Sequence, residues 1–349
     1  MISIARMVRR LGMMLAVVGV AGVAAWLARA GGASGLQPHV APQAEPGPPP
    51  ALRPLAVPPD APALLSPPAV PPAPFATLAR AWTFAHALSG DRVPVRAISQ
   101  APAGIVVDAS SGRVLWSKNA RTPLQIASLT KMMTMLLAVE ALQRGEVRLD
   151  TPIIVSRAAA NVGGSQVYLK QGETFTLSEL LKTIIIASAN DSSHAVAEAL
   201  GGNVDTFVQR MNARATALGM NATRYYNPHG LPMPSGRNVA SALDVALLAR
   251  QLLKFPLVLQ WSSTWMDTFR GGTFTLHNHN RLVKSIPGCD GLKTGYYSAA
   301  GYSNAVTVQR GSTRLIVVVL GVKSRVTRDE IAKELTEWGF RQSAMLAAQ

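Results

Sequence analysis

The 349-residue chain has a single cysteine, Cys289. That excludes an intrachain disulfide and any zinc site built from several cysteines. Acids are scarce: 19 Asp and Glu stand against 34 Lys and Arg, for a formal net charge of +15. Such an excess suits an anionic partner, whether nucleic acid, lipid or polymer, and does not choose among them. Aromatic residues make up only 6% and charged residues 15%, but hydrophobic residues reach 48%. That last figure excludes wholesale disorder.

The first 30 residues contain no acid. Arg9 and Arg10 precede an apolar run from Leu11 to Leu27, and Ala28-Arg29-Ala30 follows. A charged start, an apolar stretch and a small-x-small tripeptide form an export pattern. The run is near the upper length of a signal and the lower length of a membrane span, so residues 1–30 read as a cleaved signal or a retained N-terminal anchor. Arginines ahead of the span favour an exported body. The expected location is the periplasm or the outer face of the cytoplasmic membrane. Fifteen of the 24 prolines fall between Leu36 and Phe75. Proline fixes φ and lacks a donor, so residues 31–98 read as a Pro/Ala-rich, largely disordered linker of extended character. Residues 99–349 are the expected catalytic domain.

Within it, Gly104–Asp108 and Arg113–Ser117 read as strands joined by a turn. Ile126–Leu142 has helical apolar spacing and stops before Gly145. Further helices are expected over Ser178–Ser188, opened by Thr176 or Ser178, and over Asn203–Leu218, Ala240–Leu253 and Arg328–Trp338. Ala305–Gln309 and Leu315–Leu320 flank Arg310-Gly311-Ser312-Thr313 as a hairpin. Strands at both ends with helices between predict an α+β fold, a sheet covered by helices.

Three short motifs carry chemistry. Ser128-Leu129-Thr130-Lys131 lies at the start of a helix, which puts Ser128 and Lys131 on one face. A serine hydroxyl needs a base within reach, and a buried lysine beside another cation can lose its charge and be that base. Ser188-Ala189-Asn190 follows a buried apolar run. Its hydroxyl can relay a proton and its amide can hold a carbonyl and a lysine. Lys293-Thr294-Gly295 falls on a strand, offering a positive charge, a hydroxyl donor and a residue without a side chain beside a bound substrate backbone. Singly, each fits a helix cap, a turn or an exposed strand lysine. In this order, 60 and then 105 residues apart, they match the motif set of class A β-lactamases and penicillin-binding proteins.

The likeness continues through Met211-Asn212, Leu218-Gly219-Met220, Asn227-Pro228-His229-Gly230-Leu231, His279-Asn280-Arg281-Leu282 and Asp290-Gly291-Leu292-Lys293-Thr294-Gly295. From about Ser99 to Phe340 the chain resembles the low-molecular-mass penicillin-binding proteins, and within them the serine D-alanyl-D-alanine carboxypeptidases. The resemblance implies an α/β sandwich with a five-stranded antiparallel sheet and an adjoining helical subdomain. It implies a substrate, the peptidoglycan pentapeptide ending in D-Ala-D-Ala, and β-lactam antibiotics as covalent inhibitors, with no metal or cofactor. It makes Ser128 the nucleophile and Lys131 its base, with Ser188 and Asn190 assisting. Lys293, Thr294, Gly295 and Arg328 would bind substrate, and backbone N–H groups of Ser128 and Tyr296 would form the oxyanion hole. Ala189 and Tyr296 stand where many relatives carry Gly and His. The chain stops at Gln349, leaving no room for the extra β-rich domain and C-terminal anchor of many relatives, so membrane association is expected at the N-terminus.

Alternatives use the same residues. A D,D-endopeptidase cutting crosslinks, or a non-catalytic wall-binding scaffold, fits the same fold. A class A β-lactamase needs a deacylating acid, and Tyr225–Pro234 has none. A nucleic-acid binder rests on charge alone. His277 and His279 alternate as on a strand without an acidic third ligand, His194 is expected behind the second motif, and Trp116, Trp261 and Trp265 read as core. Cys289 reads as a buried small hydrophobe or a free thiol near the site.

Overall fold

The computed structural model describes residues 82–83 and 87–348. The export segment and most of the Pro-rich linker lie outside these residues. Among the described residues no helix is long and apolar enough to cross a membrane.

The main sheet has six strands: β1 (Leu88–Ser89), β2 (Ala103–Asp108), β3 (Arg113–Lys118), β4 (Cys289–Tyr297), β5 (Gly301–Arg310) and β6 (Thr313–Val322), in the order β1-β3-β2-β6-β5-β4. The last five are antiparallel. The extra strand β1 runs parallel to β3, with Leu88 opposite Trp116. The folded unit therefore begins ahead of Ser99, where sequence alone put its start. Val93, Val95 and Ile98 are buried, and the Trp116 indole donates to the Gly90 carbonyl at 2.7 Å. This stretch carries only one proline, Pro94, but its apolar residues are too few and too scattered to show a strand or helix period.

The central strands read as unbroken apolar runs because both faces are covered. Ile316, Val318 and Leu320 of β6 face helices of the first core cluster, and Leu315, Val317 and Val319 face the second. Helix α7 (Arg325–Ala347), capped by Ser324, lays Ile331, Leu335 and Trp338 on that second face. The other face meets a helical subdomain: α1 (Lys131–Gln143), α2 (Leu177–Ile186), α3 (Asn190–Gly201), α4 (Val204–Ala217), α5 (Ala242–Leu252) and α6 (Pro256–Ser263). Most of α1 is buried, Met132, Met133, Met135 and Leu136 completely. A helix apolar nearly all round belongs inside a bundle. Helix α2 opens with a Thr176–Glu179 capping box, which settles Thr176 rather than Ser178 as its cap.

The helices α3 and α6 and the hairpin Met266–Phe269/Phe274–His277 were not legible in the sequence. Pro256 reads as a stop but occupies the first turn of α6, where a missing N–H costs nothing. The C-terminal helix also extends beyond Arg328–Trp338 at both ends.

Candidate active site

Ser128 sits in a 3-10 turn, Ala127–Thr130, that leads into α1. Ala127 adopts φ 46°, an uncommon conformation for a residue with a side chain. The neighbours crowd this turn closely. A Cβ on Gly230 (φ 96°) would fall 2.0 Å from the Ala127 carbonyl oxygen, and one on Gly295 would fall 2.6 Å from that of Ile126. Both glycines are therefore required by packing against the serine turn. For Gly295 this replaces close approach of substrate as the reason read from sequence. Thr130 is held in turn by the Asn238 amide at 2.9 Å.

Lys131, completely buried, donates to Ser128 Oγ at 2.9 Å, to Asn190 Oδ1 at 2.6 Å and to the His229 carbonyl at 2.6 Å. Burial, then the nearby Lys293 charge, pushes its pKa well below the ordinary lysine value; Asp191 opposes this weakly. Ser128 does not cap a helix. The His229 carbonyl is a third Lys131 partner that sequence reasoning missed; the only signal was the position of His229 in Asn227–Leu231. That loop is tied by Asn227 Oδ1, which accepts from the His229 and Gly230 N–H groups.

The second motif is a reversal rather than a helix end. Ser188 takes φ 61°, Ala189 is the N-cap of α3 and Asn190 is its first residue. Asn190 is spanned on all sides: its N–H donates to Ser165 O at 2.7 Å and its Nδ2 to Gly163 O at 2.8 Å. A Cβ on Gly164 would strike that amide nitrogen at 2.5 Å. Asp191 accepts from the N–H groups of Val167 and Leu169. The loop 163–169 is thus hung from the second motif, a role the sequence did not reveal.

On β4, Lys293 is buried rather than an exposed strand lysine. It donates to Ser188 Oγ at 2.9 Å and to the Thr294 carbonyl at 3.0 Å. Burial and the Arg328 charge bring its pKa down to about 7. Its charge is therefore not the fixed one expected from lysine chemistry. Thr294, Gly295 and Tyr296 line a cavity of about 730 Å³ together with Ser128 and Ser188. The exposed Tyr296 ring stacks on Tyr302 at 4.0 Å. Arg328, buried at the start of α7, reaches the same cavity, binding Asp329 at 2.5 Å and Ser303 O at 3.3 Å.

All nine expected site residues thus converge, with Lys131 and Lys293 behind the cavity and the others at or beside its wall. His277, His279 and Trp265 line it too. Trp265 is half-buried, a wall residue and not core; Trp116 and Trp261 are core. Asn278 braces this wall by donating to the Ser262 and Thr264 carbonyls, each at 2.8 Å. His194 stacks on His229 behind the site. Cys289 is buried, its thiol pushed up to about 12 by desolvation, as befits a packing residue. Among the described residues no group of three or more His, Cys, Asp or Glu could hold a metal.

Chemically, the arrangement offers a serine hydroxyl bonded to a lysine that burial disposes to be neutral, beside a second buried lysine and an open, acid-free cavity. Comparison with known proteins gives the same grouping. Residues 92–324 match the family model described as D-alanyl-D-alanine carboxypeptidase. The chain is 39% identical over 246 residues to D-alanyl-D-alanine carboxypeptidase DacF of Bacillus subtilis, covering 70% of this chain and 63% of that one. It is 34% identical over 248 residues to DacC of Escherichia coli, covering 69% and 61%. The chain therefore spans less than two thirds of the length of these curated relatives. Among solved structures, penicillin binding protein 5 from Haemophilus influenzae superposes with a TM-score of 0.66 at 30% identity, covering 69% of this chain and 71% of that one. The ampicillin-bound form of penicillin-binding protein D2 from Listeria monocytogenes gives 0.64 at 32% identity, covering 69% and 98%. The match over residues 92–324, on a fold and a three-motif site of this kind, makes the chain a member of the D-alanyl-D-alanine carboxypeptidase family.

Proposed function

We propose that this protein is a serine D-alanyl-D-alanine carboxypeptidase that removes the terminal D-Ala of peptidoglycan stem peptides and is acylated by penicillins. The observation that carries the reading is the fully buried Lys131 amine, 2.9 Å from Ser128 Oγ and pinned on its other side by Asn190 and His229. Ser128 Oγ attacks the carbonyl of the penultimate D-Ala while its proton passes to neutral Lys131. The peptide C–N bond then breaks, and the departing amine takes a proton by way of Lys131 or Ser188. Water hydrolyses the resulting ester and restores the Ser128 hydroxyl. With a penicillin the ring C–N bond opens and no fragment leaves, so the ester is held. Lys293, Thr294 and Arg328 face the terminal carboxylate. Backbone N–H groups of Ser128 and Tyr296 stabilise the oxyanion.

The excess of basic residues and the N-terminal apolar run support an exported enzyme working beside an anionic wall or membrane, attached or released at residues 1–30. Release of D-Ala from a pentapeptide ending in D-Ala-D-Ala tests the reading. Ser128→Ala is expected to lower the rate at least about a thousandfold. Undiminished release by that variant contradicts it. Cleavage only of crosslinked dimers would move the substrate to the endopeptidase alternative.

A further inference from the structure

The cavity extends well beyond the three motifs, and its outer wall has a chemistry that the bond-breaking residues do not use. Arg281, Lys284, Arg325 and Arg328 all line it, and no Asp or Glu does. Arg328 is engaged by Asp329. Among the described residues, no carboxylate lies within 4 Å of the cationic groups of Arg281, Lys284 or Arg325. Instead the Lys284 ammonium lies over the Trp265 ring, 4.9 Å from its centroid. That contact holds the charge in place at the wall without neutralising it. Arg325 stands one helical turn before Arg328 on α7, half-buried and aimed into the same cavity. Several cations in a concave, low-dielectric wall raise the local potential and favour an anionic ligand there.

The carboxyl terminus of a D-Ala-D-Ala peptide is one anion, and Lys293, Thr294 and Arg328 already face it. Neither of the last two side chains of such a peptide is charged, so any second anion on the peptide lies upstream of the scissile bond. We infer that Lys284 and Arg325, with Trp265 beneath Lys284, form a specificity subsite for a free side-chain carboxylate on the upstream part of the stem peptide. The inference rests on the proposed peptide substrate. It predicts that the enzyme distinguishes stem peptides carrying that carboxylate from those in which it is amidated.

The test uses the full chain carrying Ser128→Ala, so that binding is read without turnover. Two peptides ending in D-Ala-D-Ala, identical except for a carboxylate or a carboxamide on the residue before them, are titrated by calorimetry at low salt. A third, with the carboxylate but ending in L-Ala-L-Ala, is the control. The acid is expected to bind about tenfold more tightly than the amide, the scale of one charge-assisted contact, and the ratio should shrink as salt rises. Lys284→Met and Arg325→Gln should each reduce the ratio, while Lys284→Arg should keep it. Equal binding of acid and amide overturns the subsite and leaves the D-Ala-D-Ala reading standing. A preference untouched by the Lys284→Met/Arg325→Gln pair also overturns it. Binding of the L-Ala-L-Ala acid as tightly as of its D-Ala-D-Ala counterpart keeps the anion site and sinks the substrate reading. No binding of any peptide sinks both.

Discussion

Lys131 and Lys293 are both buried, and in the proposed mechanism their surroundings divide the work of the site between them. Burial is the main cause of the depressed pKa in both, and each also feels another cation, Lys293 for Lys131 and Arg328 for Lys293. The roles proposed for them, Lys131 as base and Lys293 as carboxylate holder, need opposite protonation states. Lys131 has to be neutral to accept the Ser128 proton, so acylation grows as pH rises through its lowered pKa. Lys293 has to be charged to hold a carboxylate, so peptide capture weakens as pH rises through about 7 in the free enzyme. The profile of kcat/KM, which reports free-enzyme groups, is therefore expected to be bell-shaped with its alkaline limb near that value. Lys293→Arg keeps the charge and should move the limb upward. A limb that stays in place would assign it to another group. These residues stood out in the sequence only through the three motifs taken together, since each motif alone fits a cap, a turn or an exposed lysine. Their burial was not legible there, since it depends on what Asn190, His229 and Ser188 do from remote parts of the chain.

The elements that resisted prediction are those whose signals were local contradictions. Ser188-Ala189-Asn190 looks like the end of α2, and a polar run after it hides a helix start. In the fold, Ser188 turns the chain at positive φ and α3 begins at once. Helices α4 and α5, with Asn203 and Ser241 as side-chain caps, fell within two residues of their expected bounds because cap, apolar spacing and stop agreed. Strand β1 and the segment behind it were grouped with the linker because a two-residue strand and three spaced apolar residues show no period. Val93, Val95 and Ile98 are buried at 4%, 6% and 5% exposure, and each such side chain contributes roughly 1.5–3 kcal/mol. A protein starting at Ser99 should therefore melt about 10 °C below one starting at Trp82, as followed by circular dichroism. Equal melting temperatures would mean that this segment lies on the domain without stabilising it.

At the scale of the whole molecule, three motifs from distant parts of the chain meet where the helical subdomain abuts β4. Their order and spacing made the fold readable in advance, and the fold brings their residues together. The character of the outer cavity was not readable, because Trp265, Lys284 and Arg325 belong to no motif and come together only when the hairpin wall and α7 flank β4. Net charge likewise suggested the sign of a partner but pointed to no seat for it. The chemistry proposed for the molecule depends on one covalent event at one oxygen. The most direct measurement is to incubate the protein with a penicillin, digest it and locate the adduct by mass spectrometry. An intact penicilloyl group on Ser128, absent when Lys131 is replaced by Met, is the predicted result; an adduct on another residue, or none on a folded protein, would contradict it.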